Sequence, residues 1–152
     1  MLRAGQAVGD YRLDRRLAVG STAEIWIAHH RRRAGPAVAL KALLGSAARD
    51  AGFAAAFLEE AATGSKLSHR AIVGVGACFQ LDDGLFQVME LIDGSDVRGV
   101  LARAATLGQS MPPANAAFVA REIADARNRS RPQEFGSFRS VGVSCVEVRI
   151  NS

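Results

Sequence analysis

Between Tyr11 and Leu91 the spacing of the apolar residues changes twice, and those changes restrict the chain to a mixed fold. Tyr11–Val19 alternates, with Tyr11, Leu13, Leu17 and Val19 against Arg12, Asp14 and Arg16, as a half-buried strand does. Gly20-Ser21-Thr22 interrupts it, and Glu24–His29 resumes with Ile25, Trp26 and Ile27. His29–Gly35 reads as a polar turn, and Ala37–Leu43 as an apolar strand containing a single charge, Lys41. The period then lengthens. From Ala48 to Lys66, Phe53, Phe57, Ala61 and Gly64 recur at helical spacing, with Asp50 near the start. It shortens again in Ala71–Leu81 and Leu85–Leu91, two strands joined by the turn signal Asp82-Asp83-Gly84. Val97–Leu107 and Pro113–Ala126 read as helices, the second with proline in its first turn. The pattern predicts an α+β fold: a five-stranded antiparallel sheet with one packed helix, then two helices and an irregular tail.

The 152 residues are enough for one compact domain, and 49% hydrophobic with 22% charged excludes a disordered or low-complexity chain. No apolar run approaches the 18 to 20 or so residues of a bilayer span, and the first ten residues lack the apolar core of a secretory signal. A cytoplasmic protein with no membrane segment is the expectation. The net charge of +4 is uneven: residues 1–126 carry 14 basic and 13 acidic side chains, whereas residues 127–152 carry five Arg and two Glu. The basic run His29-His30-Arg31-Arg32-Arg33 lies in a turn without interleaved aromatics, so it reads as a solvated turn and not as a nucleic-acid surface. Two cysteines, Cys78 and Cys145, make no disulfide framework and no zinc-ligand pattern, and no metal site is expected.

Lys41 is one of only two lysines, and it interrupts Val38–Leu43, where an ammonium is costly without an anionic partner. On the following helix, Glu60 shares the stripe of Phe53, Phe57, Ala61 and Gly64, while Glu59 points about 100° away. An inward carboxylate calls for a cation, and Lys41 is the candidate. Upstream, Leu17–Ile25 joins two strands through small residues, a turn that lets backbone amides approach phosphate oxygens.

In order and spacing these segments resemble the N-terminal lobe of a bacterial eukaryotic-like serine/threonine protein kinase. Leu17–Trp26 is similar to that family's glycine-rich loop, Val38–Lys41 to its third-strand lysine motif, and Phe57–Ala61 to the helix with the pairing glutamate at Glu60. Leu67–Val73 resembles the link after that helix, Val88–Gly94 the gatekeeper and hinge, and Pro112-Pro113 the start of a later helix. The resemblance implies ATP as ligand, with Mg²⁺ expected for the family. It implies that Gly20 and Ser21 cover the phosphates and that Leu17, Ile25 and Ala39 enclose the adenine. Lys41 would hold the α and β phosphates, anchored by Glu60. Backbone groups of Glu90 and Ile92 would bond the adenine edge beside Met89, and Asp96 would stand near the ribose.

The sequence also departs from that pattern. Ala18 and Ala23 replace two loop glycines, and Arg70 replaces a usual proline. No His-Arg-Asp catalytic loop and no Asp-Phe-Gly occur; the histidines are His29, His30 and His69, and Glu134-Phe135-Gly136 follows too soon to serve. The expectation is a truncated kinase-like chain that binds nucleotide but does not transfer phosphate alone. It divides into an extension (1–10), N-lobe and hinge (11–95), the first helices of an incomplete C-lobe (96–126) and a foreign-looking tail (127–152), which a disrupted reading frame would also produce. The alternative is a noncatalytic interaction module, a pseudokinase remnant pairing with other kinase or protein chains through an exposed helix face.

Overall fold

The computed structural model of the chain describes residues 1–82 and 84–129. Readings that concern Asp83, Arg131, Glu134-Phe135-Gly136, the alternation of Val141–Ile150 and Cys145 lie outside the described residues. The chain divides into two units, one of Met1–Lys66 with Gly74–Leu91, the other of Leu67–Val73 with the chain from Ile92 onward.

The first unit is a six-stranded antiparallel sheet in the order β1-β2-β3-β4-β6-β5. Its strands are β1 (Ala7–Val8), β2 (Tyr11–Val19), β3 (Ala23–His30), β4 (Val38–Leu43), β5 (Val75–Leu81) and β6 (Gly84–Glu90). The expected five strands are all present, and β1 is the addition. Two residues are too few to show alternation, so the sequence does not announce it. It forms because Gly9, at φ 56°, reverses the chain and pairs Val8 with Tyr11. Leu2 and Val8 from this opening segment are buried in the core.

β4 and β6 are central and buried almost throughout. Alternation gives the sheet two distinct faces. One carries Trp26, Ala28, Leu40, Ala42, Phe86 and Val88, packed with Leu2, Val8 and Leu13 into the larger core. The other carries Leu43 and Leu85, packed with Ala47 and Phe57 from the helices. The hairpin expected around Asp82 forms, with Leu81 paired to Gly84 and Asp82 at φ 47°.

The single helix expected over Ala48–Lys66 is two, α1 (Gly45–Arg49) and α2 (Ala51–Gly64). Asp50 makes the break: its backbone is extended, and its carboxylate accepts from the N–H groups of Gly52 and Phe53 at 2.9 and 3.0 Å. Aspartate gains more as a cap than inside a helix. Phe53, in the first turn of α2 and expected on the packed stripe, is 49% exposed, while Phe57 and Ala61, further along the same helix, are buried as expected. At the far end Gly64 approaches β5 so closely that a Cβ there would lie 2.7 Å from Val75 Cγ2.

The second unit holds α3 (Val97–Thr106) and α4 (Pro113–Arg129) with the link Leu67–Val73. The strand expected to begin at Ala71 begins at Val75. His69 turns the link instead, its carbonyl accepting from Ile72 N–H at 3.0 Å and its Nδ1 from Ala71 N–H at 3.2 Å. Two polar contacts join the link to α4: a hydrogen bond between His69 Nε2 and Asp125 at 3.2 Å, and an ion pair of Arg70 with the buried Glu122 at 2.6 Å. α4 continues to Arg129, three residues past the end read from the sequence. No described helix is long and apolar enough to cross a membrane.

Candidate functional site

The pairing register sets the chemistry of the helix-side face in transverse rows, because directly opposed residues of antiparallel strands share a face. One row runs Ile27, Ala39, Met89, Val75; the next runs Ile25, Lys41, Gln87, Cys78. The single charge in the apolar strand Ala37–Leu43 thus places one ammonium in the middle of an otherwise largely apolar surface.

Lys41 is buried, and its Nζ donates to both carboxylate oxygens of Glu60, at 2.7 and 2.8 Å. The ammonium also lies 5.4 Å from the centre of the Phe57 ring, one turn before Glu60 on α2. The partners differ in solvation: the Lys41 side chain is 7% exposed and that of Glu60 38%. Two unit charges near a protein surface attract by about 4 kcal/mol at 4 Å for an effective dielectric of about 20. Desolvating a lysine costs several kcal/mol in return. The pair therefore fixes the position of the ammonium more than it stabilises the fold.

Ile25, Ala39 and Met89 stand in the same two rows as Lys41, so four of the residues singled out by sequence share one surface. Ala39 and Met89 are buried, and Ile25 is half-buried. Leu17 lies in β2 within the register shift between Arg16 and Ala18 and is exposed. Gly20 donates its N–H to the Ala23 carbonyl at 2.8 Å, closing a hairpin with Ser21 and Thr22 at the tip. A Cβ on Gly20 would meet the Ala23 carbonyl oxygen at 3.3 Å, so the turn is tight.

Glu90 ends β6, where its N–H is bound by the Gly74 carbonyl at 2.8 Å and its carboxylate accepts from Gly74 N–H at 3.3 Å. Ile92 and Asp96 belong to the second unit. There Asp96 is the N-cap of α3, its Oδ1 accepting from Gly99 N–H at 2.6 Å.

Sequence reasoning passed over Gln87, which shares the Lys41 row and is 1% exposed with neither amide atom hydrogen-bonded. A polar residue in the apolar run Leu85–Met89 was the available signal. Cys78 ends that row, and partial burial pushes its thiol pKa up. Among the described residues no three His, Cys, Asp or Glu side chains gather in one place.

A family model described as protein tyrosine and serine/threonine kinase matches residues 11–129. Serine/threonine-protein kinase PknJ of Mycobacterium tuberculosis is 33% identical over 132 residues, which is 87% of this chain and 21% of that protein. A probable serine/threonine-protein kinase of Streptomyces coelicolor is 39% identical over 97 residues, 61% of this chain and 14% of the relative. In fold, the crystal structure of the Mycobacterium tuberculosis PknI kinase domain matches with a TM-score of 0.72 at 24% identity, covering 86% of this chain and 51% of that one. The chain spans roughly one fifth of the length of PknJ.

Proposed function

This chain belongs to the protein tyrosine and serine/threonine kinase family, and from that premise we propose that it carries the sheet-borne half of an ATP site. The observation that carries the reading is the bidentate Lys41–Glu60 pair set beside Ile25, Ala39 and Met89. A buried ammonium with one of its two neighbours in the row apolar and its carboxylate anchor on a separate helix suits the phosphate chain of a nucleotide, whose base needs an adjoining apolar wall.

In this reading Lys41 orients the α and β phosphates and Glu60 holds the ammonium in place. Leu17, Ile25 and Ala39 cover the adenine, with Met89 behind it. The hairpin tip at Gly20 and Ser21 lies over the phosphates. Because the Gly20 amide is used within the turn, the tip amides beyond it are the donors we assign to the phosphate oxygens. The backbone of Glu90 bonds the base edge; Ile92 and Asp96 belong to the second unit, where Asp96 caps α3. ATP supplies the transferable phosphoryl group.

Among the described residues no three His, Cys, Asp or Glu side chains gather, and no step is assigned to a metal. The sequence also offers no His-Arg-Asp base. Phosphoryl transfer rests on positioning and charge neutralisation, so we infer that this chain holds nucleotide without transferring phosphate by itself.

Thermal melting with and without ATP tests the binding claim. A ligand at 100 times its Kd stabilises by about 2.7 kcal/mol, which gives a readily measured rise in Tm. The rise should appear for the unchanged chain and vanish for Lys41→Met. No rise at millimolar ATP favours the interaction-module reading, which draws support from the exposed Leu101, Leu107 and Phe118 of the second unit. Phosphate transfer to a protein substrate by the isolated chain would refute the inactive assignment.

A further inference from the structure

Among the described residues, Gln87 is the only one whose buried side-chain polar atoms lack a hydrogen-bond partner: both Nε2 and Oε1 are unpaired. A leucine in that place would fill the space without stranding a donor and an acceptor, so the amide opposes stability unless something uses it. Its neighbours show what that is. Gln87 sits directly opposite Lys41 on β4, on the same face. Opposed residues of antiparallel strands hold their Cβ atoms about 4.5 to 5.5 Å apart, well within the sweep of a lysine side chain.

The exposures of the ion pair supply the second half of the argument. Water reaches the Glu60 side chain, 38% exposed, but scarcely the Lys41 side chain, 7% exposed. The carboxylate is already within reach of water and can exchange the ammonium for it, and the ammonium cannot follow it. Left in place without an acceptor, the charge would be buried and unpaired, a costly state.

We propose that Gln87 is a positioning residue for Lys41: its amide oxygen accepts from the ammonium whenever Glu60 turns to water. Lys41 then stays on the sheet face in both arrangements, ready for an anionic ligand. The consequence for nucleotide binding rests on the ATP-site reading; the pairing itself does not.

A mutational cycle read by thermal melting decides the matter without nucleotide. With Glu60 present, Gln87→Leu should leave Tm unchanged or raise it, since it removes a stranded amide. In a Glu60→Ala background the same change should lower Tm by about 4 °C or more, because it removes the remaining acceptor. A charged acceptor at 87 should rescue, so Glu60→Ala with Gln87→Glu should melt above Glu60→Ala alone. A purely structural role gives Gln87→Leu the same sign in both backgrounds and no rescue by glutamate, and that outcome overturns the proposal. If Glu60→Ala does not fold, recovery of a folded protein on adding Gln87→Glu supports the pairing, and failure to recover overturns it. ATP titration of the same variants should show Glu60→Ala retaining affinity within about tenfold and the Glu60→Ala, Gln87→Leu pair losing it. Absence of ATP binding by the unchanged chain would sink the nucleotide reading while leaving the melting cycle to judge Gln87.

Discussion

Lys41 and Glu60 meet through both carboxylate oxygens, yet only the acid is open to water. The asymmetry sets what each truncation does. Lys41→Met places an apolar side chain in a buried row and lets Glu60 hydrate, so stability should change by less than about 1 kcal/mol. Nucleotide affinity should nevertheless fall below detection. Urea denaturation alongside calorimetric ATP titration would separate the two effects, and a large loss of stability would count against this account.

The second unit carries a pair of the opposite kind. Glu122 is 3% exposed, and the guanidinium of Arg70 lies 2.6 Å from its carboxylate, with Arg121 more distant at 3.5 Å. Arg70→Ala should cost about 1 to 3 kcal/mol by leaving a buried carboxylate with the weaker partner. Adding Glu122→Gln should return most of the loss. Equal melting of Arg70→Ala and the unchanged chain would show the pair to be idle.

Asp50 caps α2, the helix that delivers Glu60, through two backbone amides. Asp50→Ala should destabilise by about 1 kcal/mol, and Asp50→Asn should restore most of it. Loss of helical circular dichroism at a lower denaturant concentration is the measurement.

Gly64 is fixed by its neighbour across α2 and β5. A methyl group there would press to 2.7 Å from Val75 Cγ2, so Gly64→Ala should cost about 1 to 3 kcal/mol despite alanine's better helix propensity. Val75→Ala in the same chain should relieve the clash. A double variant no more stable than Gly64→Ala alone would place the strain elsewhere.

Partial burial raises the Cys78 thiol pKa, so less thiolate is present at any given pH than for a free thiol. In a Cys145→Ser chain, alkylation of Cys78 should be slower than that of the unfolded protein between about pH 7 and 8. The linked stability is present below the unfolded pKa and is lost as pH rises toward the folded one, because only the unfolded chain releases its proton in that window. Equal rates folded and unfolded would contradict the burial.

Much of the first unit was legible in the sequence because its strands alternate and its turns carry glycine. Tyr11–Val19 was located from its period, the strand ending at Leu43 from its apolar run, and the second helix of the second unit with the help of the proline that opens it. The Lys41–Glu60 pair was legible because each charge interrupts an apolar stripe. β1 was not, since two residues have no period. The helix break at Asp50 was concealed by a single continuous helical pattern, and the exposure of Phe53 by a period that marks a face without marking how far along the helix that face is covered. The partners of His69 and Arg70 were out of reach for another reason: Asp125 and Glu122 lie more than fifty positions away, and nothing local announces such a meeting.

The two faces of the sheet differ in how they are packed. Trp26, Leu40 and Phe86 bind the strands together on one surface, while the row from Ile25 to Cys78 faces the other way. Variation confined to that row would draw little on the cohesion supplied behind it. A combinatorial library randomised at the half-buried Ile25, with Gln87 and Cys78 held to residues of similar size, should accordingly yield mostly folded members whose tastes in small molecules diverge, which makes this surface a practical starting point for engineered recognition.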